Sequence, residues 1–199
     1  MTRYHETVRI ILLGLIVFSL VALGTLSLLT AIYRKGRRRI GDDRHPYPFV
    51  SLLKPIKNVD DELAANVESY FTLDYPNYEV LFAVDELSDA CVSILLDVQA
   101  RHPHIPARLI ATGHNQTQNP KIHKLSRLES LARGDWYWVT DSNVRVEPGT
   151  LKALVDESRR SGARLVFGLV RGSASRTFGS LMENTSLNLL TSGAIIAAW

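Results

Sequence analysis

The longest uncharged stretch of the chain is the feature that most restricts how it folds. Ile10 to Tyr33 reads IILLGLIVFSLVALGTLSLLTAIY, 24 residues without a charge. About 20 apolar residues cross a bilayer as a helix, and a soluble helix of this length normally carries a polar face. A signal peptide has a shorter apolar core and a small-residue cleavage site, whereas this run continues directly into RKGRRR. We therefore predict a retained transmembrane helix rather than a buried core helix or a cleaved signal.

Basic residues flank this segment unequally. Arg34, Lys35 and Arg37–Arg39 follow it, whereas Arg3 and Arg9 precede it. Positive flanks favour the cytoplasm, so the N-terminus is predicted to face out and the rest of the chain to be cytosolic. The cluster is one short block in a chain of formal net charge +3, not a basic surface spread over a fold, so no nucleic-acid partner is expected.

The chain as a whole has the composition of a folded protein. Hydrophobic residues make up 46% of the chain and charged residues 22%, which excludes a disordered chain. Cys91 is the only cysteine, so an intrachain disulfide and C-x-x-C zinc or redox sites are excluded. We divide the chain into a tail (1–9), the transmembrane helix (10–33), a basic and polar linker (34–48) and a domain (49–199).

Strand-like and helix-like patterns alternate in that domain. This alternation predicts a mostly parallel α/β sheet with helices on both faces. In such sheets ligands bind beyond the carboxyl ends of the strands. The predicted strands are Phe49–Leu53, Tyr78–Val84, Ala107–Ala111, Trp136–Thr140 and Leu165–Val170, and the predicted helices start at Asp60 or Asp61, Ala90, Ile122 and Pro148.

Acidic residues follow two of these strands. Asp85 and Glu86 come directly after one, and Asp141 with Ser142 after another. Carboxylates from neighbouring strand ends can share one ligand, and Mg²⁺ or Mn²⁺ binds through one or two carboxylates plus substrate phosphates. The alternative is that such residues cap the next helix; we favour capping for Asp89 and a functional role for Asp141.

Lysines at two predicted loops could bind phosphate as point charges. Lys54 and Lys57 leave the first strand, and Lys121 and Lys124 leave the glycine- and amide-rich loop 112–120. Taken alone, each lysine is more readily explained as a solvated surface residue. Dinucleotide and P-loop glycine motifs are missing, as are the H-E-x-x-H and G-x-S-x-G patterns.

Several ordered motifs resemble the ceramide glucosyltransferase family of membrane-bound, inverting enzymes, which includes bacterial hopanoid glycosyltransferases. The resemblance covers about residues 49 to 170. It rests on VSLLKPIK from Val50, LDYP from Leu73, YEVL from Tyr78, NPKI from Asn119 and DSNVRV from Asp141. It implies a GT-A fold, a UDP-sugar donor, a divalent metal (Mg or Mn) and a lipid acceptor at the cytosolic face of a membrane, here expected to be a bacterial inner membrane.

The resemblance also implies roles for individual residues. Asp141 is the expected metal and diphosphate ligand, beside Ser142. Asp85 and Glu86 are expected at the nucleotide, with Glu86 standing where the family usually has aspartate. The remaining donor-binding residues are expected to be Lys54, Asn119 and Lys121, and the family's amide-rich continuation is replaced here by His123-Lys124.

The family's catalytic base and its Arg-Trp motif are expected beyond residue 199. The primary hypothesis is therefore the N-terminal part of a lipid glycosyltransferase that moves glucose or N-acetylglucosamine, inactive as this chain alone. The alternatives are a non-catalytic, membrane-anchored remnant that binds nucleotide or a partner, and a soluble-type nucleotide-binding regulator; the missing glycine-rich phosphate loop counts against the regulator.

Overall fold

The computed structural model describes residues 2–36, 46–60, 62–114, 119–168, 170–172 and 177–191. They fall into two units, one made of residues 1–40 and 167–199 and the other of residues 41–166. All the site residues expected from the sequence belong to the second unit. The basic residues Arg37–Arg39 and the apolar end of the chain from residue 192 lie outside the described residues.

The first unit contains the long apolar helix. Helix α1 spans Thr2–Gly36, and within it Arg9–Leu29 has a mean hydropathy of 2.6 and none of its apolar window buried. Its 21 residues extend over about 30 Å at the α-helical rise. By length and composition alone, this segment is a candidate membrane span. The same unit holds two further helices, α6 over Phe178–Thr185 and a π-helix over Ser186–Thr191.

The second unit is built on a four-stranded parallel sheet. Strands β1 (Val50–Pro55), β2 (Tyr78–Val84), β3 (Ala107–Ala111) and β4 (Trp136–Val139) lie in the order β3-β2-β1-β4. Since β2 and β3 lie on one side of β1 and β4 on the other, the strand order reverses between β1 and β4. Open α/β sheets bind ligands at such a switch point.

Helices cover both faces of the sheet, as predicted. Helices α2 (Leu63–Glu68), α3 (Cys91–Arg101) and α5 (Thr150–Ser161) pack their apolar side chains on one face. Helix α4 (Pro120–Glu129) packs Leu128 on the other face. Alternate residues of β1 and β2 enter the two cores, and both strands are buried along their whole length, as parallel strands between two helical layers are.

A close backbone crossing fixes β4 beside β1. A Cβ on Gly134 would lie 2.7 Å from the Phe49 carbonyl oxygen and 2.9 Å from the Ser51 nitrogen, so only glycine fits there. The Gly134 amide donates to the Ser51 hydroxyl at 3.0 Å, and that hydroxyl donates to the buried Glu79 carboxylate at 2.8 Å. The Arg133 side chain also donates to this carboxylate, at 2.9 Å. These contacts set the register that carries residue 141 to the end of β1.

The sequence-based prediction fails at one strand and at the helix cap expected for Asp89. The predicted strand Leu165–Val170 has no regular structure over its described residues, and Leu165 and Phe167 are 68% and 78% exposed. An apolar run becomes a strand only where a neighbour pairs with it, and in the described part of the chain β4 pairs with β1 alone. Asp89 does not cap α3, because its carboxylate accepts from the Glu86 amide at 3.2 Å.

Candidate functional site

An open cavity of about 290 Å³ lies at the switch point of the sheet. Three short segments line it: the chain leaving β1, the first turn of α4 and the chain leaving β4. The lining residues are Pro55, Ile56, Lys57, Pro120, Lys121, Lys124, Asp141, Ser142 and Asn143. Of the residues expected at the site from the sequence, Lys121, Asp141 and Ser142 therefore meet in one cavity.

Asp141 is the exposed carboxylate of this cavity. It follows β4, its side chain is 56% exposed, and it forms an ion pair with Lys121, whose side chain is 50% exposed. Its main-chain carbonyl accepts a hydrogen bond from the Lys54 ammonium at 2.7 Å. The Asp141 carboxylate is thus accessible to a ligand, while the hydrogen bond from Lys54 fixes the Asp141 backbone.

Lys54 lies beneath the cavity. Its side chain is fully buried, and its ammonium also contacts Thr140 Oγ1 at 3.3 Å and sits 3.9 Å from the centre of the Tyr70 ring. Burial lowers the pKa of Lys54 to about 7, against the opposing attraction of Asp141. The structure buries the Lys54 ammonium against Thr140 and the Asp141 carbonyl rather than in the cavity lining, and a contact between Lys54 and the donor stays a prediction.

Lys124 and Asp85 form a second buried contact at the ends of β1 and β2. The Lys124 ammonium lies 3.0 Å from Asp85 Oδ1 and donates to the Ile56 carbonyl at 2.7 Å. The two side chains are only 3% and 10% exposed. Lys124 is part of the His123-Lys124 sequence that replaces the family's amide-rich continuation. Its ammonium therefore lies against Asp85, the carboxylate that was expected at the nucleotide.

Glu86 and Asn119 lie outside the cavity lining. Glu86 is 60% exposed, and the His114 ring lies 3.9 Å from it. Asn119 caps α4: its side-chain oxygen accepts from the Lys121 amide at 2.9 Å and from the Ile122 amide at 3.4 Å, ahead of Pro120 at the first helical position. The structure thus gives Asn119 a direct role in placing Lys121.

Sequence reasoning missed Asp60, which was assigned only to a helix cap. The hydroxyl of Ser142 donates to the Asp60 carboxylate, and α2 begins after Glu62 without a side-chain cap; Asp61, the other cap candidate, lies outside the described residues. Asn58 and Glu62 on either side have φ values of 63° and 61°, a left-handed conformation that non-glycine residues adopt at a cost. No local sequence signal predicts a contact between residues 82 positions apart.

The loop after β4 has further anchors on α2 and its flanks. The Tyr70 hydroxyl donates to the Val144 carbonyl at 3.1 Å, Arg145 pairs with Glu62 at 2.8 Å, and the Val146 amide donates to the Ser69 hydroxyl at 3.2 Å. Residues 141–146 are therefore an irregular segment with a well-defined backbone.

The cavity fits a divalent cation that takes only one or two of its ligands from the protein and the rest from water and substrate phosphates. Among the described residues no group of three or more His, Cys, Asp or Glu side chains is arranged to hold a metal. One exposed carboxylate on a fixed backbone, Asp141, suits Mg²⁺ or Mn²⁺, since Mg²⁺ in particular keeps several waters and binds through one or two carboxylates plus substrate phosphates.

Comparison with known proteins settles the family. The sequence profile of glycosyl transferase family 21 matches residues 14–199. The chain belongs to this family. It is 34% identical over 116 residues to a ceramide glucosyltransferase of Komagataella phaffii, covering 56% of this chain and 23% of that protein. It is 31% identical over 101 residues to ceramide glucosyltransferase 1 of Caenorhabditis elegans, covering 51% and 22%. The family 21 chain thus spans less than a quarter of the length of each of these two relatives.

Solved structures show the same fold. The mannosyltransferase PcManGT from Pyrobaculum calidifontis, in complex with GDP-Man and Mn²⁺, superposes with a TM-score of 0.51 at 19% identity, covering 72% of this chain and 42% of that one. S. aureus TarS gives a TM-score of 0.51 at 16% identity, covering 65% and 23%. At such identities the likeness concerns the fold alone. The family and the GT-A-like fold implied by the sequence resemblance are confirmed.

Proposed function

We propose that this chain is the N-terminal part of a glycosyltransferase that moves a hexose from a UDP-sugar to a lipid hydroxyl. The sugar is glucose or N-acetylglucosamine, and the acceptor is of the ceramide or hopanoid type. The observation that carries the proposal is the Lys121–Asp141 ion pair in the switch-point cavity, since it places an exposed cation and an exposed carboxylate where sheets of this topology bind nucleotides.

Two side chains of the cavity, Lys121 and Asp141, bind the donor, and neighbouring side chains position them. Lys121 binds the diphosphate as a point charge. Asp141 holds the divalent cation, which when bound neutralises the negative charge that develops on the leaving diphosphate. Asp60 orients Ser142 beside Asp141, and Lys54 fixes the Asp141 backbone. Glu86 takes over the contact with the nucleotide, because Asp85 is neutralised by Lys124.

The membrane arrangement follows from the apolar segment of α1. Arg9–Leu29 spans the bilayer, and the basic residues after it lie on the cytosolic side against anionic headgroups. The donor domain is then cytosolic, where nucleotide sugars are made, and the acceptor reaches it from the same leaflet. A bacterial inner membrane is the proposed location.

The reaction also requires a group that takes the proton of the acceptor hydroxyl. A general base acts within about 3 Å of the proton it removes. Among the described residues, Asp141 is the carboxylate that lines the cavity and Asp60 is bonded to its neighbour Ser142, and we assign both to the donor side. We therefore place the base beyond residue 199 and propose that the 199-residue chain alone does not turn over.

The test is transfer of radiolabel from UDP-glucose or UDP-N-acetylglucosamine to ceramide or hopanoid in detergent. It uses this chain and a version extended at its carboxyl end to the length of the relatives. In the extended version, Asp141→Asn is expected to lower transfer by about a hundredfold or more, because the cation loses its protein ligand.

The matched control is Asp135→Asn, an exposed aspartate at the other end of β4, which should keep transfer within about twofold. Retained transfer in Asp141→Asn would remove Asp141 from this role. Label transferred by the 199-residue chain above a no-enzyme control would show that the base lies within it. UDP binding without transfer by the extended version would favour a non-catalytic remnant.

A further inference from the structure

Three lysines meet at the switch point, and they differ sharply in burial. Lys54 and Lys124 are 0% and 2% exposed, and each donates to a main-chain carbonyl at 2.7 Å. The Lys121 side chain is 50% exposed and is paired only through its tip with Asp141. Two of the ammonium groups therefore hold the backbone of the site, whereas the third is on a half-exposed side chain.

The backbones on both sides of the Lys121–Asp141 pair are fixed independently of the pair. On the Asp141 side, Lys54 holds the main-chain carbonyl and Tyr70 holds the following loop. On the Lys121 side, the Asn119 cap fixes the start of α4, and Lys124 joins α4 to the end of β1. Breaking the ion pair therefore moves one long side chain and leaves the two backbones in place.

The position of Lys121 favours an anionic partner at all times. It lies in the first turn of α4, where the helix dipole is positive and where no acidic residue is present. A lysine there is unfavourable unless a nearby anion compensates it. In this structure that anion is Asp141.

We propose that Lys121 exchanges partners on donor binding: it is the counterion of Asp141 while the site lacks the donor, and it moves to the donor's diphosphate when Asp141 takes the divalent cation. This inference rests on the proposed function. All charges are compensated in both states, because the carboxylate passes from an ammonium to the cation and the ammonium passes to phosphate oxygens. A cation that arrives without the diphosphate has to displace Lys121 and leaves it with no anion.

Metal and nucleotide are therefore bound as one complex, and the site discriminates against the free metal ion. A substitution that removes the Lys121 ammonium is therefore expected to strengthen the binding of the metal ion alone and to weaken the binding of the nucleotide. Removing the ammonium of Lys121 frees Asp141 for the cation alone, but it also removes a ligand of the diphosphate. A residue with only a structural role would weaken both kinds of binding together.

The experiment measures binding of Mn²⁺ alone, by calorimetry and by the loss of the free-ion EPR signal, and of UDP in the presence of saturating Mn²⁺. It uses the 199-residue chain in detergent with the substitution Lys121→Met. We expect Mn²⁺ alone to bind about fivefold more tightly, since the competing ion pair is gone, and UDP with Mn²⁺ to bind about tenfold more weakly.

The matched control is Lys57→Met, which removes an exposed lysine from the same cavity. Its effect on Mn²⁺ alone is expected to stay below about twofold, because solvent screens a charge that does not touch Asp141. In an Asp141→Asn background the gain from Lys121→Met is expected to disappear, which ties it to this carboxylate. Lys121→Gln, which keeps a polar head, should repeat the result if the methionine variant folds poorly.

The proposed exchange of partners by Lys121 is refuted if Lys121→Met lowers the affinity for Mn²⁺ alone, or raises that affinity no more than Lys57→Met does. It is also overturned if UDP binds the variant as tightly as the parent chain. Failure of the parent chain to bind UDP with Mn²⁺ would count against the proposed donor site, whereas the comparison with Mn²⁺ alone still decides whether Lys121 competes for Asp141.

Discussion

Substitution of the buried lysine of α4 is expected to be strongly destabilising. In Lys124→Met the apolar stem keeps a similar volume, so the change removes chiefly the ammonium. That group is 3.0 Å from Asp85 Oδ1 and 2.7 Å from the Ile56 carbonyl oxygen. Its loss leaves a carboxylate that is only 10% exposed without its buried cation, and the nearest remaining basic group is the His114 ring at 3.9 Å.

The magnitude follows from the burial of both partners. Removing one member of a buried ion pair typically costs about 3–5 kcal/mol, because the remaining charge stays desolvated. Loss of the hydrogen bond to the Ile56 carbonyl costs about 1 kcal/mol, and part of this cost is already included in that figure. We therefore expect the free energy of unfolding to fall by about 3–4 kcal/mol, a large share of the 5–15 kcal/mol typical of a domain.

Urea unfolding in mild detergent, followed by the fluorescence of Trp136 and Trp138 in β4, measures this loss. The double variant Lys124→Met with Asp85→Asn should recover about 2 kcal/mol, since it removes the unpaired charge as well. Lys57→Met, an exposed lysine in the same cavity, should stay within about 0.5 kcal/mol of the parent. A cost below about 1 kcal/mol for Lys124→Met, or no recovery in the double variant, would refute the reasoning.

Two further outcomes are expected. Because burial holds the pKa of Lys54 near 7 against 10.5 in the unfolded chain, the unfolded state binds the extra proton between these values. Stability measured with a chelator present should therefore rise from pH 7.5 to 9.5 by up to about 1.4 kcal/mol per pH unit. Lys54→Met should lose this slope, and equal slopes would contradict the assignment. For the membrane arrangement, a cysteine in place of Arg3 should be labelled from outside intact cells and one in place of Arg44 should not; external labelling at Arg44 would reverse the proposed orientation.

The limits of a strand were well predicted from the sequence where an apolar run is bounded by turn or proline residues. The limits of β2 and β3 agree with the apolar runs Tyr78–Val84 and Ala107–Ala111, since both are bounded by turn or proline residues. The parallel sheet with two helical layers also follows from the alternation of patterns. The strand predicted at Leu165–Val170 fails because an apolar run carries no information about whether a partner strand is beside it.

The cavity was predicted in part, because strand order decides which loops meet. The rule that ligands bind beyond strand ends points to the loops after β1, β2 and β4. The strand order β3-β2-β1-β4 is needed to select those after β1 and β4. The positions of Asp141 and Lys121 agree with that rule. Their ion pair could not be predicted, since no local pattern connects a helix start with a strand end.

The lysines show where a sequence is least informative. A lysine beside a predicted loop is most often solvated, yet Lys54 and Lys124 are buried, while Lys121 and Lys57 remain exposed. What separates the two pairs is tertiary: the buried ammonium groups reach carbonyls 87 and 68 residues away in the chain. Each buried lysine has an exposed lysine three positions away in the chain, so residue type and local position do not separate them.

The buried lysines donate hydrogen bonds to main-chain carbonyl groups where the chain leaves the sheet at the switch point. The chain leaving β1 and β4 has to become irregular to present side chains to a ligand, and its carbonyl groups then lose their ladder partners. A buried carbonyl without a donor is costly. The ammonium groups of Lys124 and Lys54 supply donors to Ile56 and Asp141, one residue beyond β1 and two beyond β4. Because ammonium burial itself is unfavourable, it persists where a ring face or a carboxylate also stabilises the cation, as Tyr70 and Asp85 do here. The loops of the cavity are thus held by side-chain cations in place of secondary structure, which leaves the side chains of Asp141 and Lys121 available to a ligand.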